Sequence, residues 1–300
     1  MTKNTNTRYY SVGGIRFKIN FLSPFFEFDN QGGSRLFQTD KHSKDQEWTI
    51  NFDILNQNTL TDFTYSFKGS ERFEEELPYK WSIINTNNQD GILIEFEDNL
   101  PIKKVIALID THNNTINTFL SLFNNAPLTI DPFFHPLGIL IIQYIIHQHE
   151  GFVIHASSVD LNGKGYLFSA VSGTGKSTMA KIWQSKGATI INDDRLIVVP
   201  ENDGYRIYNT PMPYYQDRNK SVLLHKAFII KQSPDNYLNA LPVLKGTLGL
   251  LGNCMQFQYE ESQIQKRLNA LQGIAEKCGI YECGFKPDKD IIQLILNEVG

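Results

Sequence analysis

The run Ser172-Gly173-Thr174-Gly175-Lys176-Ser177 has the residue types and spacing to hold phosphate. Gly173 and Gly175 keep side chains away from the backbone, so successive N–H groups can converge on an anion at the positive end of the helix that starts here. Lys176 adds a point charge. Ser177, with Thr178 beside it in the first helical turn, offers a hydroxyl to a magnesium ion that bridges the terminal phosphates of a nucleotide. Further along, the adjacent carboxylates Asp193 and Asp194 close an apolar run. One of such a pair can hold the metal, directly or through water, while the other faces an incoming acceptor.

These residues need elements to place them, and the flanking sequence supplies candidates. Tyr166 to Ala170 is a short apolar run that leads into the loop. Ser177 to Lys186 carries Met179, Ala180, Ile182 and Trp183 at helical spacing before Gly187 ends the pattern. Ala188 to Asn192 is a second apolar run, expected to belong with the first in a parallel sheet whose strand ends point at the phosphates. Upstream, Phe152 to Val159 connects to the first run through Asp160-Leu161-Asn162-Gly163-Lys164, where Asn162-Gly163 signals a two-residue hairpin. That hairpin would lay His155 beside the loop. The longer phosphate-loop pattern has glycine where this chain has Ala170, so the match is to the core of the pattern.

Taken together, IHASSV, NGKG, SGTGKS and INDD resemble the HPr kinase/phosphorylase-like family, which is related to phosphoenolpyruvate carboxykinases. The resemblance extends through KAFIIKQSPDN (Lys226 to Asn236) and YECGFKPDKDIIQLI (Tyr281 to Ile295), about the second half of the chain. It implies a kinase that moves the terminal phosphate of ATP to a hydroxyl, with Mg2+ in the loop. Under it Asp193 matches the catalytic base, Asp194 a metal-associated carboxylate and His155 a residue near the phosphates. Lys176 and Ser177 match loop ligands. Related branches act on peptide serines or on free serine, so the acceptor is left as a peptide or protein serine or a small molecule. A catalytically inactive nucleotide-binding regulatory or assembly module is the alternative, and a base such as Asp193 argues against it. For a decarboxylating enzyme of the carboxykinase type, no oxaloacetate-binding constellation stands out.

Composition bounds the rest. Three hundred residues with 41% hydrophobic content can fill two cores, and a formal charge of −4 without a basic block argues against nucleic acid or an anionic membrane as partner. Cys254, Cys278 and Cys283 have no metal-ligand spacing, and their odd number suits free thiols. No signal core and no run of transmembrane length stands out, so a cytoplasmic protein is expected.

The fold class expected is α/β, with an HPr-kinase-like domain over 128–300 preceded by a β-rich domain over 1–127. Strands are expected around Gly13-Gly14 and at Glu47 to Leu55, Thr64 to Lys68, Trp81 to Asn85 and Ile92 to Glu97. Pro101 to Asp110 reads as mixed, and Ile116 to Phe123 as a short helix. The β-rich part would shape a wall of the site, form a homo-oligomer or recognise an acceptor. Leu137 to Ile146 is apolar nearly all round and reads as a buried helix. His135, His147 and His149 share no helical face, so no metal is assigned to them. Arg218 and Lys220 sit on a tyrosine-rich stretch from which a cation could reach phosphate. Later, Leu223 to Lys231 reads as a strand, Pro242 to Cys254 and Glu260 to Lys277 as helices, Tyr281 to Phe285 as a strand, and Pro287 as the start of a terminal helix.

Overall fold

The computed structural model describes residues 6–40, 47–56, 62–69, 78–86, 89–97, 101–124, 126–211, 219–255 and 261–299. It is a mixed α/β protein with many strands and, among the described residues, five α-helices. The chain divides into two compact units, residues 1–142 with 211–218 and residues 143–210 with 219–300. The division falls within helix α1 (Leu137–Gln148).

The first unit is built from strands β1 (Asn6–Val12), β2 (Ile15–Phe21), β3 (Phe26–Phe28), β4 (Gln38–Thr39), β5 (Glu47–Ile54), β6 (Thr64–Lys68), β7 (Tyr79–Thr86), β8 (Gln89–Phe96), β9 (Ile102–Asp110), β10 (Thr115–Leu122) and β11 (Leu128–Ile130). Nine of them form one sheet in the order β4-β1-β2-β5-β10-β9-β8-β7-β6. Gly13 and Gly14, with φ of 60° and 78°, make the tight turn between β1 and β2. The helix expected over Ile116 to Phe123 is strand β10, parallel to β5 and antiparallel to β9. Paired between these two strands, Ile116, Thr118 and Leu120 are buried in strict alternation, the period of two of a strand. The mixed stretch before it is strand β9. On the opposite face a row of side-chain hydrogen bonds crosses four strands, from Thr7 to Asn20 (2.9 Å), Asn20 to Asn51 (2.8 Å) and Asn51 to Asn117 (3.0 Å). These bonds satisfy amides that lie half-buried on the pleat.

The second unit contains strands β12 (Phe152–Leu161), β13 (Lys164–Ser169), β14 (Thr189–Asn192), β15 (Arg195–Glu201), β16 (Gly204–Asn209), β17 (Ser221–Gln232), β18 (Tyr237–Ala240) and β19 (Ile280–Phe285). Its other helices are α2 (Lys176–Gln184), α3 (Val243–Leu251), α4 (Glu261–Lys277) and α5 (Asp290–Val299). The sheet follows the order β13-β12-β15-β16-β17-β19-β18, and β13 also pairs with β17, so five strands close into a ring. Closure needs a near approach at Gly165, where a Cβ would lie 2.6 Å from the Leu223 carbonyl oxygen. Apolar side chains such as Phe152, Ile154, Leu167, Leu196 and Ile207 join residues of α3 and α4 in one core. Met179, Trp183, Phe228, Ile291 and Ile295 belong to a second core that gathers α2 and α5.

The expected parallel sheet is instead mixed, because the hairpin and meander pairs β12–β13, β12–β15 and β15–β16 are antiparallel. The direction that matters for the site is kept. Strands β13, β17 and β19 are mutually parallel, and β14 runs the same way as β13 because both are antiparallel to β12. The terminal helix begins at Asp290, since Pro287 lies in the turn before it. Strand β18 was not anticipated.

One buried group is expected to add acid sensitivity to the second unit. His147, 5% exposed, is held by burial and by the nearby Arg267 and Lys266 charges at a pKa of about 4 instead of 6.5. The folded form resists a proton that the unfolded chain accepts. The stability this group contributes is therefore fully present above pH 6.5 and is lost as pH drops towards about 4, up to about 3 kcal/mol. Urea unfolding of wild type and His147→Gln between pH 7 and 4.5 should show a shallower loss in the variant; equal slopes would show that another group carries it.

Candidate functional site

The hairpin β12–β13 turns at Asn162 and Gly163, with φ of 55° and 81°, and the Asp160 carboxylate accepts the Gly163 N–H at 2.7 Å. From β13 the chain passes into the loop and then directly into α2. Gly173 and Gly175 have φ of 79° and 110°, the left-handed region open to glycine. Ser172, Gly173, Ser177 and Thr178 are exposed, and Thr174 and Gly175 half-buried, so the loop lies at a surface that a ligand can reach; the Thr174 N–H donates to the Val171 carbonyl at 3.4 Å. This geometry suits an anion at the start of α2.

Lys176 is buried to 6% exposure, and its Nζ donates to the carbonyls of Ala170 (2.9 Å) and Val171 (3.2 Å). Burial pulls the ammonium below the ordinary lysine range, and the Asp194 carboxylate partly opposes that. The Lys176 carbonyl in turn accepts the buried Ser157 hydroxyl at 3.0 Å, which ties the first turn of α2 to β12. Ala170 contributes its carbonyl to this arrangement while its methyl belongs to the apolar core. Ala170→Gly should accordingly leave nucleotide affinity within about tenfold, or about 1.4 kcal/mol. A larger gain on calorimetric titration with ATP would show that the methyl obstructs the phosphates.

The two carboxylates stand on a turn at the end of β14. Asn192 is buried, and its side-chain oxygen accepts the N–H groups of Asp193 (2.7 Å) and Asp194 (3.1 Å). The Asp194 carbonyl accepts the Ala156 N–H at 3.0 Å, which fixes the turn against β12. Asp194 Oδ1 lies 3.4 Å from His155 Nε2, and its Oδ2 lies 3.8 Å from Arg195 Nε. Burial lowers the His155 pKa, the Lys176 charge adds to this, Asp194 opposes it and Arg195 adds again. These influences together disfavour the charged ring beside Asp194.

The structure brings Lys176, His155 and Asp194 into one electrostatic cluster, with Asp193 next to it on the same turn. Asn192, Ser157 and Arg195 were missed by sequence reasoning. Asn192 had a legible signal, since Asn before two residues that need a turn is a common local acceptor. Arg218 lies outside the described residues. Lys220 donates from Nζ to the Ile190 carbonyl at 2.9 Å, on the strand that leads to the Asp pair. The three cysteines are free and buried.

Among the described residues no group of three or more His, Cys, Asp or Glu side chains could cage a metal by itself. Magnesium does not require one, because it keeps waters and takes one or two protein oxygens together with substrate phosphates. The exposed Ser177 hydroxyl and the half-buried Asp194 carboxylate fit that donor set.

A family model described as "SynChlorMet cassette protein ScmC" matches residues 136–276. Among solved structures, the chain is similar to the Hpr(Ser) kinase/phosphatase from Coxiella burnetii, at 11% identity, covering 48% of this chain and 94% of that chain with a TM-score of 0.27. No curated protein matches the chain. No helix among the described residues is long and apolar enough to cross a membrane.

Proposed function

We propose that the protein is an ATP-dependent kinase that transfers the γ-phosphate to a hydroxyl, on a serine of a peptide or protein or on a small molecule. The observation that carries the reading is the Asn192-capped turn. It presents Asp193 and Asp194 at the end of a strand running in the same direction as the one that feeds the glycine loop. A binding loop alone has little use for two carboxylates placed this way.

In this account the loop amides from Ser172 to Ser177 and the Lys176 ammonium hold the β- and γ-phosphates. Ser177 and Asp194 would hold Mg2+, which neutralises charge on the transferring phosphoryl group. The acceptor oxygen attacks the γ-phosphorus, and its proton passes to the Asp193 carboxylate. The bond from the γ-phosphorus to the bridging oxygen breaks, and its electron pair leaves with ADP. His155, 3.4 Å from Asp194, steadies that carboxylate.

The matching family is described as a cassette protein, so genes next to this one are the place to seek an acceptor. The test measures ADP formation with ATP, Mg2+ and a panel of serine peptides, free amino acids and hydroxylated metabolites. Acceptor-dependent ADP is the expected result. ATP binding with no acceptor-dependent turnover across the panel would favour a regulatory nucleotide-binding module.

A further inference from the structure

Two clefts flank the glycine loop on the side of β17 and β19. One of about 370 Å³ is lined by Ser172, Gly173, Thr174 and Gln232. The other, of about 480 Å³, is lined by Thr178, Gln232, Ser233, Pro234, Phe285 and Pro287 as well as by Gly175. Gln232 belongs to both. We propose that the larger cleft receives the nucleoside of the bound nucleotide, a purine, with Gln232 reading the edge of the base.

The placement follows from the sheet. β13 ends in the loop, β17 is its parallel neighbour, and β19 is the parallel neighbour of β17. Ligands of such sheets sit beyond the carboxyl ends of parallel strands. Neighbouring strands lie about 4.8 Å apart, so the segments after β17 and β19 stand about 5 and about 10 Å to one side of the phosphates. That offset is the span from a β-phosphate towards its nucleoside.

The chemistry of the walls agrees. No lining residue of the larger cleft is charged, so it is unsuited to a second phosphate or to a carboxylate. Pro234 and Pro287 offer flat apolar surface, and Phe285, 2% exposed, forms the floor. Thr178 and Ser233 supply hydroxyls suited to a ribose, and the exposed Gln232 amide has a donor and an acceptor to pair with a purine edge. Gly175 separates the loop from this floor, and a Cβ there would lie 2.9 Å from Phe285 Cζ. A side chain at that position would close the passage between phosphates and base.

The walls are also held in advance. Asn236 Nδ2 donates to Asp288 Oδ1 at 3.0 Å, its Oδ1 accepts the Lys286 N–H at 2.8 Å, and the Ser233 N–H donates to the Phe285 carbonyl at 3.1 Å. These bonds join the segment after β17 to the segment after β19, so little ordering is left for the ligand to impose.

The inference rests on the loop binding phosphates, and the experiment separates the two. Mg2+-dependent affinities of ATP, CTP and inorganic tripolyphosphate are measured by calorimetry on wild type and Gln232→Ala, an exposed position whose truncation spares the core. Wild type should bind ATP at least about fivefold more tightly than tripolyphosphate, the low end of what a stacked base contributes, and should prefer ATP to CTP through the base edge that Gln232 reads. Gln232→Ala should keep its tripolyphosphate affinity and lose most of the preference for ATP over CTP. Equal binding of ATP and tripolyphosphate by wild type would overturn the nucleoside assignment and leave the phosphate loop standing. Full discrimination retained by Gln232→Ala would overturn the role of Gln232. Binding of none of the three would remove the loop reading and this inference together.

Discussion

Asp193→Asn is expected to bind ATP and Mg2+ as wild type does and to transfer phosphate about 10² to 10⁴ times more slowly. The substitution keeps the shape of the side chain and removes its basicity. Because the turn is built by the Asn192 side chain and the backbone N–H groups of Asp193 and Asp194, it should survive the change. Asp194→Asn should fail in a different way. Its carboxylate lies next to His155 and Arg195 and counters the buried Lys176 charge, so the variant should need more Mg2+ as well as turn over slowly. A magnesium series on both variants with an identified acceptor distinguishes the roles. If Asp193→Asn transfers at the wild-type rate, the base is elsewhere.

Lys176→Ala is expected to weaken ATP binding about 10- to 100-fold, since hydrogen bonds to a charged partner contribute about 1.5–3 kcal/mol and about 1.4 kcal/mol is tenfold. The ammonium is held by the Ala170 and Val171 carbonyls, just before the loop. Removing it also removes a buried charge, which makes a large fall in stability unexpected, and thermal unfolding without ligand checks that. Equal ATP affinity in variant and wild type, read by calorimetry, would remove the loop from the account.

Local signals in the sequence placed the hairpin and the glycine loop. Asn162-Gly163 could be read as a hairpin because both residues tolerate positive φ, and Gly173-Thr174-Gly175-Lys176-Ser177 as a loop opening a helix for the same reason. The strand from Thr64 to Lys68 was legible to its ends. Where two periods competed, local reading failed: Ile116, Leu120 and Phe123 fit a helical spacing, and only the pairing of β10 between β5 and β9 decides for a strand. Long-range features left no trace in any window. The ring closed by β13 and β17 joins segments far apart in the chain, and the carbonyls that hold Lys176 are backbone atoms whose positions no side-chain pattern encodes.

The most direct measurement follows γ-labelled ATP, with Mg2+, in a total cell extract given wild type or Asp193→Asn, each first shown to bind ATP. The account predicts that wild type moves label into an acid-stable phosphate ester and that Asp193→Asn does so at least about 100-fold more slowly. Label transferred equally by both proteins, or by neither although both bind ATP, would contradict it.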